Sequence, residues 1–425
     1  MNAITMKMNE NGPIFRGNTS EPRTTGPVIR TERHANAMPI GRSESTRFTR
    51  DGSESLERRL AAVCARIADE VRKLIPAGQL DGLVLAGGYG RGEGGVLREA
   101  TGDQPYNDLE FYVFVRGNAL LGERRYRTAL QQLGERLTPV AGVDVEFKVV
   151  TVEKLRAAPT SMFSYDLMMG HRWLVGDDSL LAGCVHHRAA AKISLAEASR
   201  LLMNRCTGLL FSAERLRRER FGPEEADFVA RNLAKLQLAL GDVLLAAQGD
   251  YHWSCCERQL RVAAWRGREG FPAIARVQRH HVEGVRFKLH PYRSGESREA
   301  LLRRHAELSQ LARELFLWLE NRRLGSDFAT TRAYAVGDFN LCPETAAWRN
   351  RLVNVRAFGL LAGVGHSAIR YPRERLLRAL PVLLWEETLF ADAALLQSTR
   401  SLLRTTATDF SGLVAAYEQL WHRFN

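Results

Sequence analysis

The period of the apolar pattern changes part-way along this chain, and that change limits the folds open to it. Before about residue 180, strand-like and helix-like segments alternate. Leu56, Leu60, Val63, Ile67, Val71 and Leu74 recur at spacings of three and four, the stripe of an amphipathic helix that Pro76-Ala77-Gly78 ends. Residues 82–86 (GLVLA), 109–115 (LEFYVFV) and 143–150 (VDVEFKVV) are short runs rich in β-branched and aromatic residues and read as strands, with a helix over 123–137 between the last two. After 180 the strand signals fade. Helical stripes follow at 194–217, 223–247, 254–266, 297–324, 345–362, 373–400 and 408–424. The pattern predicts an α+β chain: a small mixed-sheet domain over 54–180, a helical bundle over 181–330 and a C-terminal helical region over 331–425. Residues 1–53, rich in Gly, Pro, Ser, Thr, Asn and Arg, hold too few large apolar groups to offset ordering entropy and read as a disordered tail.

Composition excludes several classes. Apolar residues make up 45% of the chain, yet no run approaches the roughly 20 residues of a membrane span, and Met1-Asn2-Ala3 opens no apolar signal segment. A soluble, cytoplasmic protein with no membrane partner is expected. Cys64, Cys184, Cys206, Cys255, Cys256 and Cys342 form no CxxC pair, so reduced structural thiols are expected rather than a zinc site or a disulfide framework. The formal net charge is +12, and of 60 basic side chains only seven are lysine. Arginine suits bidentate binding of phosphate and carboxylate, although an Arg-rich solvated surface accounts for the same numbers.

The stretch most informative about chemistry runs from Leu85 to Val150. It opens LAGGYGRGEGG, continues to NDLEFYVFV and closes with GVDVEFKVV. A strand runs into a glycine turn, and Asp108 and Glu110 stand two apart at the start of the next strand. Residues i and i+2 of a strand share a face, so these carboxylates converge. Asp144 and Glu146, also two apart, do the same on the following strand. Carboxylates from two neighbouring strands beside glycine N–H groups make a cage for hard cations and phosphate. Gly90, Gly92 and Gly95 also satisfy GxGxxG, but a dinucleotide fold expects its acid at the far end of the second strand, not at its start. Solvated edge carboxylates are the bland alternative.

Gly87-Gly88-Tyr89-Gly90-Arg91-Gly92 followed by Asn107-Asp108-Leu109-Glu110 resembles the signature of the DNA polymerase β-like nucleotidyltransferase superfamily. The likeness is greatest to its minimal and aminoglycoside-modifying members. It covers about 80–180, including Phe163-Ser164-Tyr165-Asp166-Leu167 and Leu174-Val175-Gly176-Asp177, which look like the segment closing that domain. The resemblance implies an enzyme that moves a nucleoside monophosphate from an NTP, ATP first among the candidates, to an acceptor hydroxyl or phosphate on a small molecule, protein or RNA. It implies that Gly87 and Gly88 hold the triphosphate, that Arg91 adds charge there, and that Asp108, Glu110 and a third acid hold Mg²⁺ or Mn²⁺. Glu146 is the favoured third acid, with Asp144 as the alternative. The 19 residues between Gly88 and Asp108 exceed the family's usual spacing and predict a longer loop over the site.

The helical half carries a partial likeness to the bundle that follows many such domains, in Arg231-Asn232-Leu233-Ala234-Lys235, Gly241-Asp242-Val243 and Gly249-Asp250-Tyr251. Asp242 reads either as a base for an acceptor hydroxyl or as a buried polar contact, and Lys235 as a triphosphate ligand or a solvated lysine. His280-His281 and His186-His187 invite a metal or nuclease reading with little weight behind it. Residues 257–323 carry 15 basic and 8 acidic side chains, which suits RNA phosphates or an Arg-rich solvated face. The competing functional class is a catalytically weak nucleotide-binding module with a regulatory or antitoxin-like role; an RNA-binding protein is third.

Overall fold

The computed structural model describes residues 47–265, 271 and 273–424. Residues 1–46 of the expected tail lie outside the described residues. Residues 47–53 do not belong to a tail. Phe48 is buried, the Arg172 guanidinium sits 4.1 Å from its ring centroid, and Arg172 donates to the Arg47 carbonyl at 2.7 Å. The backbone N–H groups of Phe48 and Thr49 donate to the Glu57 carboxylate at 2.6 and 3.0 Å. A strap with one aromatic anchor and a buried acid to bind its amides needs no apolar periodicity, so its order is not visible in composition.

The first helix, α1 (Glu54–Leu74), is capped by the Ser53 side chain and carries Glu54 and Glu57 in its first turn. Its stripe is buried, with Leu60, Ile67 and Val71 at 0% exposure. The chain continues through β1 (Leu80–Leu85), a single helical turn α2 (Gly87–Gly90), β2 (Val96–Glu99), β3 (Gly102–Pro105), β4 (Leu109–Val115), α3 (Ala119–Ala141), β5 (Val145–Val150), α4 (Val152–Ala157), α5 (Met162–Met169) and β6 (Arg172–Val175). Four strands form one sheet in the order β5-β4-β1-β6; β4 and β5 are parallel, and β1 is antiparallel to both β4 and β6. A mixed sheet is what the alternating pattern leads to. Leu83, Val84 and Leu85 are all fully buried because both faces of β1 are covered. On one face Leu83, Leu85, Leu109, Phe111 and Val113 pack with α1 and α3; on the other, Val84, Tyr112 and Phe114 pack with α4, α5 and a 3-10 segment over Asp178–Arg188.

The expected long loop after Gly88 is instead a hairpin, β2 and β3. It folds against α1 and not over the acids: the Ser53 N–H donates to Asp103 at 2.7 Å and Arg59 to Gln104 at 2.9 Å.

From Leu195 onward the described chain is helical: α6 (Leu195–Arg217), α7 (Pro223–Ala247), α8 (Cys255–Ala264), α9 (Ile274–Leu289), α10 (Arg298–Leu324), α11 (Thr331–Val336), α12 (Ala347–Phe358), α13 (Arg373–Trp385), α14 (Ala393–Leu403) and α15 (Phe410–Phe424). One hydrophobic cluster runs through them from Ile193 to Phe424, so the expected boundary at 330 does not divide the core. Helix α9 has no counterpart in the sequence reading, and the single stripe expected over 373–400 is two helices. Among the described residues, no helix is long and apolar enough to cross a membrane.

Candidate functional site

Strand β1 delivers the chain to the glycine turn, and the Ala86 N–H donates to the Glu110 carbonyl at 2.9 Å, fixing that turn to β4. Gly87 has φ +63°, and a Cβ placed on it would lie 3.3 Å from Glu110 Oε2. A side chain there would be strained and would crowd the carboxylate, so glycine is the residue that fits. Gly90 is equally constrained: a Cβ would sit 2.3 Å from the Leu85 carbonyl oxygen. Tyr89, fully buried, donates its hydroxyl to the Gly95 carbonyl at 2.8 Å and accepts the Tyr106 N–H at 2.9 Å. Asn107 accepts the Gly95 N–H at 3.2 Å. These two side chains staple the glycine loop to the segment that carries Asp108.

Glu110 and Glu146 are register partners on the parallel strands β4 and β5. Laterally paired residues share a face, and Asp108, two before Glu110, joins them at the strand entrance. All three carboxylates are half-buried. Burial, then the charge of Glu110, raises the Asp108 carboxyl above its ordinary value; burial, then Asp108, does the same to Glu146. Asp144 lies one residue outside β5, where its carbonyl accepts the Leu109 N–H at 2.8 Å. Lys148, two beyond Glu146, is drawn to Tyr112, whose hydroxyl accepts from it at 3.2 Å.

The helical half packs against the segment that leads into Asp108. Tyr106 meets Phe287 of α9 edge to face at 6.0 Å, and the Lys288 carbonyl lies 3.0 Å from where a Gly95 Cβ would stand. Arg231, Lys235 and Asp242 fall on one face of α7 at helical spacing. Lys235 is exposed, with Arg205, Arg231 and Lys288 as cations near it. Burial, with Arg205, Arg231 and Lys288 around it, pushes its ammonium down to about 8, while Asp108 pulls the other way. Its exposure is that of a solvated lysine, and the charge of Asp108 also acts on it.

Arg91 does not extend toward the acids. It forms an ion pair with Asp166 of α5 at 2.9 Å, and Asp166 and Asp242 are joined through Tyr251 and Arg258. Arg258 bonds Asp242 at 2.7 Å, and His281 lies 3.2 Å from the same oxygen. Burial alone would raise the Asp242 carboxyl, but Arg258 and His281 hold it below its ordinary value. Asp242 is thus a buried structural anion, not an open base. His280 is taken up by Glu307 and Gln237, and His187 by the Leu155 carbonyl. Arg276 pairs with Glu314.

One cluster escaped the sequence reading. Ligand atoms of Glu93, Cys255 and Cys256 lie within 4.8 Å of one another. Glu93 is already engaged at the start of α8, accepting from the Ser254 hydroxyl and the Cys255 N–H, and Arg50 reaches Cys256 Sγ. A carboxylate capping a helix accounts for the arrangement. All six cysteines are free thiols. Compared with known proteins, the sequence matches no family model and none of the curated sequences.

Proposed function

We propose that the chain is a divalent-metal-dependent nucleotidyltransferase that moves a nucleoside monophosphate from an NTP, ATP first among the candidates, to an acceptor whose identity is open. The observation that carries the reading is the pairing of Glu110 and Glu146 on adjacent strands beside Gly87, with Asp108 at the entrance of β4. Lys148 and Lys235 are the cations whose charge reaches Asp108, and Lys148 also acts on Glu146. Three clustered, mutually repelling carboxylates are a donor set of the oxygen type that Mg²⁺ or Mn²⁺ prefers. Asp108, Glu110 and Glu146 would hold the metal, with Asp144 next to them. When bound, the metal supplies Lewis acidity at the α-phosphate and lowers the proton affinity of the attacking oxygen.

The chain's own residues do the rest. The Gly87-Gly88 backbone lets phosphate oxygens approach closely, because no side chain stands in the way. Lys235 offers a positive charge to the same polyanion from α7. Arg91, by pairing with Asp166, holds the glycine turn against α5 of the same domain, and Asp166 in turn accepts from Tyr251 of the helical half, so Arg91 acts as a positioning residue.

The test is labelled-NTP transfer by purified protein, with each NTP and Mg²⁺ or Mn²⁺, with and without cell extract as acceptor source, and Asp108→Asn as control. Label transferred by the wild type alone supports the reading. Metal-dependent NTP binding without any transfer would favour a regulatory or antitoxin-like nucleotide-binding module.

A further inference from the structure

In the C-terminal helical region, α13, α14 and the turn after α14 frame a cationic cleft that shares no lining residue with the acid site. Its cavity, about 540 Å³, is lined by Arg375, Gln397, Arg400, Ser401, Arg404 and Thr405 with Thr406. Arg404 also lines a neighbouring cavity of about 350 Å³, whose floor includes Phe358 and whose edge is Arg423. Three guanidiniums gather on the Phe358 ring: Arg404 at 4.8 Å, Arg375 at 5.1 Å and Arg423 at 5.6 Å from its centroid. Neither cavity is lined by an acidic side chain. Cation–π contact offsets part of the mutual repulsion, but four arginines without a counter-anion remain a poor arrangement for an empty surface.

Two further observations point to a ligand. Arg404 is the one non-glycine residue with positive φ among the described residues, at +54°. Glycine or asparagine would end α14 there at lower cost. Arg400 Nε is buried without a hydrogen-bond partner. The C-terminal carbonyls of α14 explain part of the cluster, since Arg375 donates to Ser401 and Leu402 and Arg400 to Thr406. They do not explain Arg404 or Arg423. Burial and the nearby Arg404 push the Arg375 guanidinium below its ordinary value, which is the cost a bound anion would relieve.

We infer that this cleft binds phosphoryl groups, with Arg375, Arg400 and Arg404 as the charge donors and the Ser401, Thr405 and Thr406 hydroxyls as neutral ones. Guanidinium forks match phosphate oxygens in pairs. A small phosphorylated compound and a nucleic-acid backbone share this chemistry.

The test uses full-length protein in EDTA, to silence metal-dependent binding elsewhere, with inorganic pyrophosphate and a single-stranded RNA oligonucleotide as probes. Arg404→Gly removes the charge and the backbone strain together, so melting temperature should hold or rise while affinity falls about tenfold, the loss of one charge-assisted contact. Arg400→Gln combined with Arg404→Gly should abolish binding. Loss of pyrophosphate affinity in both variants assigns a small phosphorylated ligand; loss confined to the oligonucleotide assigns a nucleic-acid backbone. If the wild type binds neither probe, or both variants bind as the wild type does, the inference is wrong.

Discussion

Glu110 of β4 and Glu146 of β5 stand directly opposite each other in a parallel pair, with Gly87 against the Glu110 carboxylate. Like charges so placed destabilise a sheet unless a cation or a proton is shared. Burial first, and then neighbouring charge, raises the Asp108 and Glu146 carboxyls: Glu110 acts on Asp108, and Asp108 on Glu146. A carboxyl raised in the folded state loses stability as pH climbs from its unfolded value through its folded one, so at neutral pH the charges weigh against the fold.

Asp108→Asn and Glu110→Gln keep shape and remove one charge each. Both variants should lose metal-dependent transfer by about 10²–10³, the scale of one missing transition-state contact of roughly 2.7–4 kcal/mol. Their melting temperatures at pH 7 without metal should equal or exceed that of the wild type. Glu146→Gln should behave alike, and Asp144→Asn should cost far less. Calorimetry with and without Mg²⁺ and NTP reads both quantities. A full wild-type metal shift in both Asp108→Asn and Glu110→Gln would remove the metal cage.

Gly88→Val bears on the phosphate turn. A Cβ at Gly88 would stand 3.0 Å from the Glu93 carbonyl oxygen, tighter than ordinary contact, and Glu93 N–H is itself bound to the Gly88 carbonyl at 2.8 Å. The turn must shift, and NTP affinity should fall while the helical half stays folded. Equilibrium binding of a fluorescent NTP checks this; undiminished affinity would take the turn out of the site.

Arg258→Met strips the partner from a buried carboxylate. Asp242 is 5% exposed and would keep only His281, so the variant should lose about 3–5 kcal/mol. The wild-type advantage should shrink in acid. Asp242 is held low, so its ion-pair contribution is complete above its unfolded value near 3.9 and fades as pH falls through the lower folded one. Denaturant titrations at pH 7 and pH 3 measure the gap. An equal gap at both would mean Asp242 does not carry the difference.

Strand β4 was legible to the residue because LEFYVFV is an unbroken run of strand formers, and the same-face placement of Asp108 and Glu110 follows from it. Helix α9 was not. Arg276, Arg279, His280, His281, Glu283, Arg286 and Lys288 interrupt its stripe, and it packs partly through Gly284, whose Cβ position lies 2.2 Å from the Leu238 nitrogen. A contact made through backbone leaves no hydropathy signal. Helices α13 and α14 merged for the opposite reason, since Leu389 and Phe390 in the turn between them continue the apolar spacing. Asp166, Tyr251 and Arg258 are joined only by tertiary structure, so their link to Arg91 has no sequence signature.

Lys235→Met separates function from stability. Methionine keeps the stem and removes a charge that burial, and then Arg205, Arg231 and Lys288, disfavour. The folded-state value of about 8 lies below the unfolded value near 10.4, so the protonated amine weakens the fold below pH 8, and that cost fades as pH rises toward 10.4. The variant should therefore melt higher than the wild type at pH 7 and no differently near pH 10. Its NTP affinity should nonetheless fall by about tenfold, the loss of one charge contact to a polyanion. Melting curves at the two pH values and NTP titration at pH 7 give three readings with fixed signs. A lower melting temperature at pH 7 with unchanged NTP affinity would make Lys235 an ordinary packing residue, and α7 would lose its role at the site.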